Sequence, residues 1–278
     1  MSYTWEGEEP PAHPPFTLSE RLRVAWRGIP IALVLVTGLL LMMFLRLIER
    51  PLHGMDRPWT PHITRVVCRI VLRIMGLRVR ASGSPPAPCG ALVANHSSWL
   101  DIFVLNSRWP VYFVSKAEVA GWPGIGLLAR ATGTVFITRD RRDAAAQTAL
   151  FRERLAHGHR LLFFPEGTST DGLRVLTFRT PLFAAFFDED LVHEVSVQAV
   201  SLAYHAPEGA DPRFYGWWGG MDFAPSLARV LAQRRQGSVD LICHAPVRVD
   251  DYANRKSLAH ALETQVRAGH ERALSRKG

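Results

Sequence analysis

Eighteen consecutive residues without a charge, Gly28 to Leu45, constrain this chain more than any other feature. A helix over IPIALVLVTGLLLMMFL shows no polar face, and a helix of a soluble core normally carries one. The length sits at the lower edge of what crosses a bilayer, where about 20 apolar residues are needed. Membrane contact is expected, as a span or as a surface anchor. Both flanks are basic, with Arg21, Arg23 and Arg27 before the stretch and Arg46, Arg50 and Arg57 after it. The positive-inside rule therefore gives no direction.

The segments around this stretch extend the picture. Residues 1–16 are polar and proline-rich and read as a disordered or extended tail, without the basic start or cleavage site of a secretory signal. From Pro61 to Arg80 the residues Arg65, Arg69 and Arg73 recur every fourth position, which makes one basic stripe on a helix. Two readings fit it: a helix in the interface of an anionic membrane, or an amphipathic helix packed on a core. Residues 17–80 are thus expected to form a membrane anchor, an apolar helix followed by a basic amphipathic one.

ASGSPPAPCG, residues 81–90, is a turn-rich break. Beyond it short apolar runs alternate with helical stretches. ALVAN, VYFVS, TVFIT, LLFFP, Val195–Tyr204 and Val239–His244 read as strands, and Ala144–Ala156 and Leu258–Ala268 as helices. The expectation for residues 81–278 is an α/β domain with a mixed, largely parallel sheet flanked by helices. The net charge of +8 favours anionic partners such as membrane surfaces or phosphorylated substrates. The basic residues do not interleave with aromatics as on a nucleic-acid platform, so nucleic acid is not an expected partner. Cys68, Cys89 and Cys243 are far apart and form no CxxC pair, which argues against a disulfide framework or a zinc site.

Three strings can carry chemistry. NHSSWLD follows the first strand, with His96 and Asp101 five positions apart. On one regular helix the two would sit about 140° apart. With His96 on the preceding loop and Asp101 in the first turn they can meet, so that Asp101 fixes the imidazole tautomer and leaves the other nitrogen as a base. Ser97 or Ser98 is the expected helix cap. GTVFITRD places Arg139 at a strand end, a planar fork suited to phosphate. FPEGTST ends another strand, with Glu166 able to bind a substrate hydroxyl or position the loop, Gly167 allowing a tight turn, and Thr168 adding donors. GxSxG is absent from the sequence, so the base is expected to act on the substrate's own hydroxyl.

In the order NHxSxxD, GxxFIxR, FPEGTS, each at a strand end, these strings resemble the glycerolipid acyltransferase family that includes 1-acylglycerol-3-phosphate acyltransferase. The resemblance covers residues 91–204. A fourth block looks like VSVQAVSLAY, where Ala199 stands in place of the family's usual proline. The resemblance implies the glycerolipid acyltransferase fold and transfer of an acyl group from acyl-CoA or an acyl carrier protein to a lysolipid hydroxyl. His96 would be the general base and Asp101 its orienting partner. Arg139 would bind the acceptor's phosphate with help from Lys116, and Glu166, Gly167 and Thr168 would line the acceptor site. No metal or organic cofactor is implied. Lysophosphatidic acid is the leading expected acceptor and lyso-ornithine lipid the alternative. A catalytically idle membrane-binding protein is the rival of another class. A lipid acceptor and a soluble donor together imply an inner- or plasma-membrane enzyme with its catalytic domain facing the cytoplasm.

Overall fold

The computed structural model describes residues 4–11, 14–85, 87, 90–122, 124–138, 142 and 144–276. One helix, α1, runs from Leu18 to His53 and holds the charge-free stretch in its middle. Thr17 starts it with a capping box: its hydroxyl accepts the Glu20 amide, and the Glu20 carboxylate accepts the Thr17 amide at 2.8 Å. Leu22, Trp26, Ile29, Leu33, Val36 and Leu40 stay exposed. Their spacing of three or four residues makes one apolar stripe along the outer side. This helix is long and apolar enough to cross a membrane, and little of it is buried; it marks the chain for membrane association.

The inner side of α1 meets α2, Thr60–Met75. A Cβ on Gly38 would collide with the Val67 side chain, so the two helices approach closely there. No side chain at the start of α2 caps it. Buried Glu49 does so from α1, its carboxylate accepting the Trp59 amide at 2.8 Å, the Thr60 amide at 3.1 Å and the Thr60 hydroxyl at 2.6 Å. Val71, Leu72 and Met75 of α2 enter the core. Val66 and Ile70, on the same helix as the basic stripe, stay exposed. Arg69 Nε donates to the Ser107 carbonyl at 2.7 Å, at the end of α3, Leu100–Arg108.

Strand β1, Arg78–Gly83, begins inside the stretch read as helix and linker. It forms because it pairs in parallel with β7, Ser238–Cys243, over six residues that only the fold brings together. The remaining strands are β2 (Gly90–Ala94), β3 (Tyr112–Lys116), β4 (Val135–Ile137), β5 (Leu161–Phe163), β6 (Ser196–His205) and β8 (Val247–Arg248). They make a sheet of order β1-β7-β6-β2-β5-β3-β4, with β8 on β6. The path from β6 to β4 is parallel, and β7 and β8 run antiparallel to β6. This is the expected mixed, largely parallel sheet.

Alternation along the strands sorts side chains to two cores. Leu92 and Ala94 face the layer of α1, α2, α3 and α6, Phe223–Ala232. Ala91 and Val93 face α5, Ala144–Ala156, and α7, Arg255–Ser275. A short helix α4, Ile125–Thr132, precedes β4. Arg23 and Arg27 clamp the start of α1 to the end of α6: Arg23 donates to the Ala232 carbonyl and Arg27 to that of Leu231 at 2.9 Å. Cations there meet unpaired helix-end carbonyls. The tail shows no helix or strand over residues 4–11, yet it is held: the Trp5 amide donates to Thr168 Oγ1 at 3.1 Å, and Trp218 Nε1 donates to the Glu8 carbonyl at 2.9 Å.

Candidate active site

Two neighbouring parallel strands, β2 and β5, release the chain at their carboxyl ends, where α/β sheets gather ligands. Asn95 to Ser98 follow β2, and Phe164 to Thr170 follow β5. Asn95 prolongs the β2–β6 pairing with its side chain. Its Nδ2 donates to the Leu202 carbonyl and its Oδ1 accepts the Leu202 amide, both at 2.8 Å. This fixes the residue before His96.

His96 lies on the loop and Asp101 in the first turn of α3, and the two meet. Nδ1 of His96 is 2.7 Å from Oδ2 of Asp101. A carboxylate only accepts, so Nδ1 carries a proton, and in the neutral imidazole the lone pair is on Nε2. The imidazole stacks on Phe164, with centroids 4.1 Å apart and planes 12° apart. Its side chain is 19% exposed while that of Asp101 is wholly buried. The imidazole is therefore accessible from outside, and its partner is shielded from water.

Asp101 is held from three more directions. Oδ2 accepts the Ser97 and Ser98 amides at 2.8 and 3.0 Å, and Oδ1 accepts the Tyr204 hydroxyl at 2.6 Å. The expected serine cap is there in part: the Ser98 hydroxyl accepts the amide of Leu100, the first helical residue, at 3.3 Å. Trp99 stands between them at the helix boundary without a side-chain bond, and the Asp101 carboxylate takes the Ser97 and Ser98 amides. Tyr204 and Asn95 were not singled out from sequence. Tyr204 reads as an apolar strand residue, and its partner is 103 positions away.

Glu166 is 1% exposed. One oxygen accepts the His96 amide and the other the Leu176 amide, each at 2.7 Å. It ties the two site loops together. Burial raises its carboxyl to about 8, against the downward pull of the two amides. Gly167 takes φ 73°, a left-handed turn that a side chain would strain. The turn brings the Thr170 amide to the His96 carbonyl at 3.0 Å. Thr168 faces the tail at Trp5. Lys116 ends β3, separated from β2 by β5. Arg139 lies outside the described residues. No group of three or more His, Cys, Asp or Glu suited to a metal occurs among the described residues.

The loop before α6 crosses this site. The Trp217 amide donates to the Ser97 carbonyl at 2.9 Å. Charged side chains nearby come in pairs: Arg174 with Asp171 at 2.9 Å, and Arg213 with Asp211 at 3.0 Å and Glu8 at 3.1 Å. The Arg174 guanidinium lies over Trp5, 5.2 Å from the ring centroid. Burial of the Trp218 ring beside Arg213 completes the cluster.

Comparison with known proteins is concordant. A family model described as Acyltransferase matches residues 79–248. The lyso-ornithine lipid O-acyltransferase of Rhodobacter capsulatus is 58% identical over 95% of this chain and 96% of its own length. The 1-acyl-sn-glycerol-3-phosphate acyltransferase of Neisseria gonorrhoeae is 33% identical over 66% of this chain and 71% of its own. Among solved structures, the 1-acyl-sn-glycerophosphate acyltransferase of Thermotoga maritima shares the fold, with a TM-score of 0.59 and 21% identity over 91% of this chain and 99% of that one.

Proposed function

The chain belongs to the acyltransferase family, and from that premise we propose that it acylates lyso-ornithine lipid, with His96 as the general base. The observation that carries the mechanism is the 2.7 Å contact between His96 Nδ1 and a buried Asp101. Nε2 takes the proton from the acceptor hydroxyl as the oxygen attacks the thioester carbonyl. A tetrahedral oxyanion forms and collapses; the C–S bond breaks, and the leaving thiolate takes the proton from His96. Positioned base catalysis contributes ~10²- to 10⁴-fold. Asp101 holds the tautomer and supports the imidazolium. Glu166 and Gly167 shape the loop that presents His96.

Two observations favour lyso-ornithine lipid, the alternative acceptor of the sequence analysis, over lysophosphatidic acid. The relative at 58% identity is named for it. The paired charges Arg174–Asp171 and Arg213–Asp211–Glu8 beside the site also suit a headgroup with both a carboxylate and an ammonium. A doubly anionic phosphate would meet carboxylates there. The donor is an acyl-CoA or an acyl carrier protein thioester. Attachment uses the exposed stripe of α1 lying along the membrane, with the catalytic domain on the cytoplasmic side, where such thioesters are made.

The test is an assay of purified protein in detergent with both donors and both lysolipids, beside His96→Ala. Turnover of lyso-ornithine lipid, lowered at least ~10²-fold in His96→Ala, is the expected result. Preference for lysophosphatidic acid would overturn the acceptor, and activity untouched by His96→Ala would overturn the mechanism.

A further inference from the structure

The amino ends of β3 and β5, at the opposite end of the strands from His96, hold a cluster of cations. Tyr112 opens β3, and His159 stands just before β5. Arg57, from the turn between α1 and α2, and Arg154, from α5, flank the Tyr112 ring at 5.8 and 5.6 Å from its centroid. His159 stacks on that ring at 4.2 Å, with Arg154 Nη1 3.2 Å from its Nδ1. The outer nitrogens of both arginines donate to the last carbonyls around α4, Arg57 to Ala131 and Arg154 to Gly133, each at 3.3 Å. Their Nε atoms, and Nε2 of His159, are buried without a hydrogen-bond partner. Buried polar groups are almost always paired, and among the described residues three of the five buried unpartnered side-chain atoms gather here. The Met55 carbonyl also faces His159.

A cavity of about 410 Å³ opens at this cluster, lined in part by Arg57, His62, Tyr112, His157, His159 and Arg160. Its one acid, Asp56, pairs with His157 at 2.7 Å. Burial, with the neighbouring cation Arg46, keeps Arg57 below the usual guanidinium value, and burial does the same for Arg154. Burial and the two arginines hold His159 down at about 4. Glu49 acts on Arg57 and Glu153 on Arg154, but cations crowded out of water are still costly, and an entering anion offsets that cost. Guanidinium forks fit the oxygens of a phosphate. Beside the cavity, across Ala131, lies an apolar trough of about 390 Å³ lined by Met42, Met43 and Leu47 with Arg46 and Arg50.

We propose that this cavity is a phosphate-binding site, separate from the acyl-transfer site, that takes either an anionic phospholipid headgroup or free phosphate. The trough is placed to receive the acyl chain of such a lipid, and the site stands at the turn of the helical anchor, where a membrane surface would present it.

The experiment uses the full chain in non-ionic detergent. Binding of inorganic phosphate, of short-chain phosphatidylglycerol and of short-chain phosphatidylcholine is followed by titration calorimetry, and folding by thermal melting. Arg57→Gln, Arg160→Gln and His96→Ala are run in parallel. The expected result is binding of phosphatidylglycerol that weakens at least about tenfold, or ~1.4 kcal/mol, in Arg57→Gln and Arg160→Gln and is unchanged in His96→Ala. The same pattern with inorganic phosphate alone assigns the site to the free ion. If Arg57→Gln melts far below the parent, Arg160→Gln decides. Absence of anion binding, or binding indifferent to the arginine variants, or phosphatidylcholine bound as well as phosphatidylglycerol, overturns the proposal.

Discussion

Asp101 accepts four hydrogen bonds, and each donor comes from a group whose position matters to His96. The Tyr204 hydroxyl is the one whose removal leaves the helix cap intact. Tyr204→Phe is expected to cost a charge-assisted bond, about 1.5–3 kcal/mol in all, divided between stability and turnover. Kinetics should show kcat lowered roughly tenfold with KM for the acceptor unchanged, the signature of a lost transition-state interaction; a purely structural role would move only the melting temperature. Glu166 makes a pH prediction. Its carboxyl is raised from 4.5 to about 8 by burial, so the folded state binds more protons than the unfolded between those values. Its contribution to stability is complete below about 4.5 and lost as pH rises through about 8. Melting temperatures of the wild type should fall across this window, and Glu166→Gln should flatten the fall. Much of the site was legible because His96, Asp101, Glu166 and Gly167 lie in short strings at strand ends. Tyr204 and Asn95 were not, because a tyrosine in an apolar strand and an asparagine before a histidine acquire meaning only when β6 lies beside β2.

The helical hairpin of α1 and α2 shows the same limit at the next scale. An uncharged apolar run marked the first helix and a four-residue basic spacing the second, but neither showed what joins them. Glu49 follows the apolar stretch in no motif that marks it, yet it caps the partner helix from within the hairpin. Glu49→Ala leaves the Trp59 and Thr60 donors without their acceptor, at roughly 1–3 kcal/mol each. Thermal melting should drop by several degrees, at about 2–4 °C per kcal/mol for a chain of this class, while kcat in detergent stays within about twofold. A collapse of kcat without a change in melting would place Glu49 in the catalytic machinery instead. β1 escaped the sequence reading for a related reason. RVRASG is too polar and glycine-bearing to look like a strand, and it is one only because β7 offers a parallel edge at the rim of the sheet.

At the scale of the whole molecule, α1 is about 54 Å long at 1.5 Å per residue, and both of its ends touch the same body. Arg23 and Arg27 grip α6 near one end, and Glu49 holds α2, itself packed on α3, near the other. A helix threaded across a bilayer would have to pull one of these ends away from the domain. Lying flat, it keeps both. Alkaline carbonate washing should therefore release more of the Arg23→Ala/Arg27→Ala/Glu49→Ala protein's catalytic domain to protease attack than of the parent, with the anchor helix itself retained in the membrane; equal protection of the two would argue against the clamp. The proposal that α1 lies along the membrane carries a mechanical corollary. An enzyme moored to one face of a membrane, turning single-chain lipids into two-chain lipids on the reading proposed above, widens that leaflet alone. In giant vesicles supplied with donor on the outside only, steady turnover should push the membrane outward into buds until the product crosses to the inner leaflet, so the curvature of the vesicle becomes a gauge of catalysis.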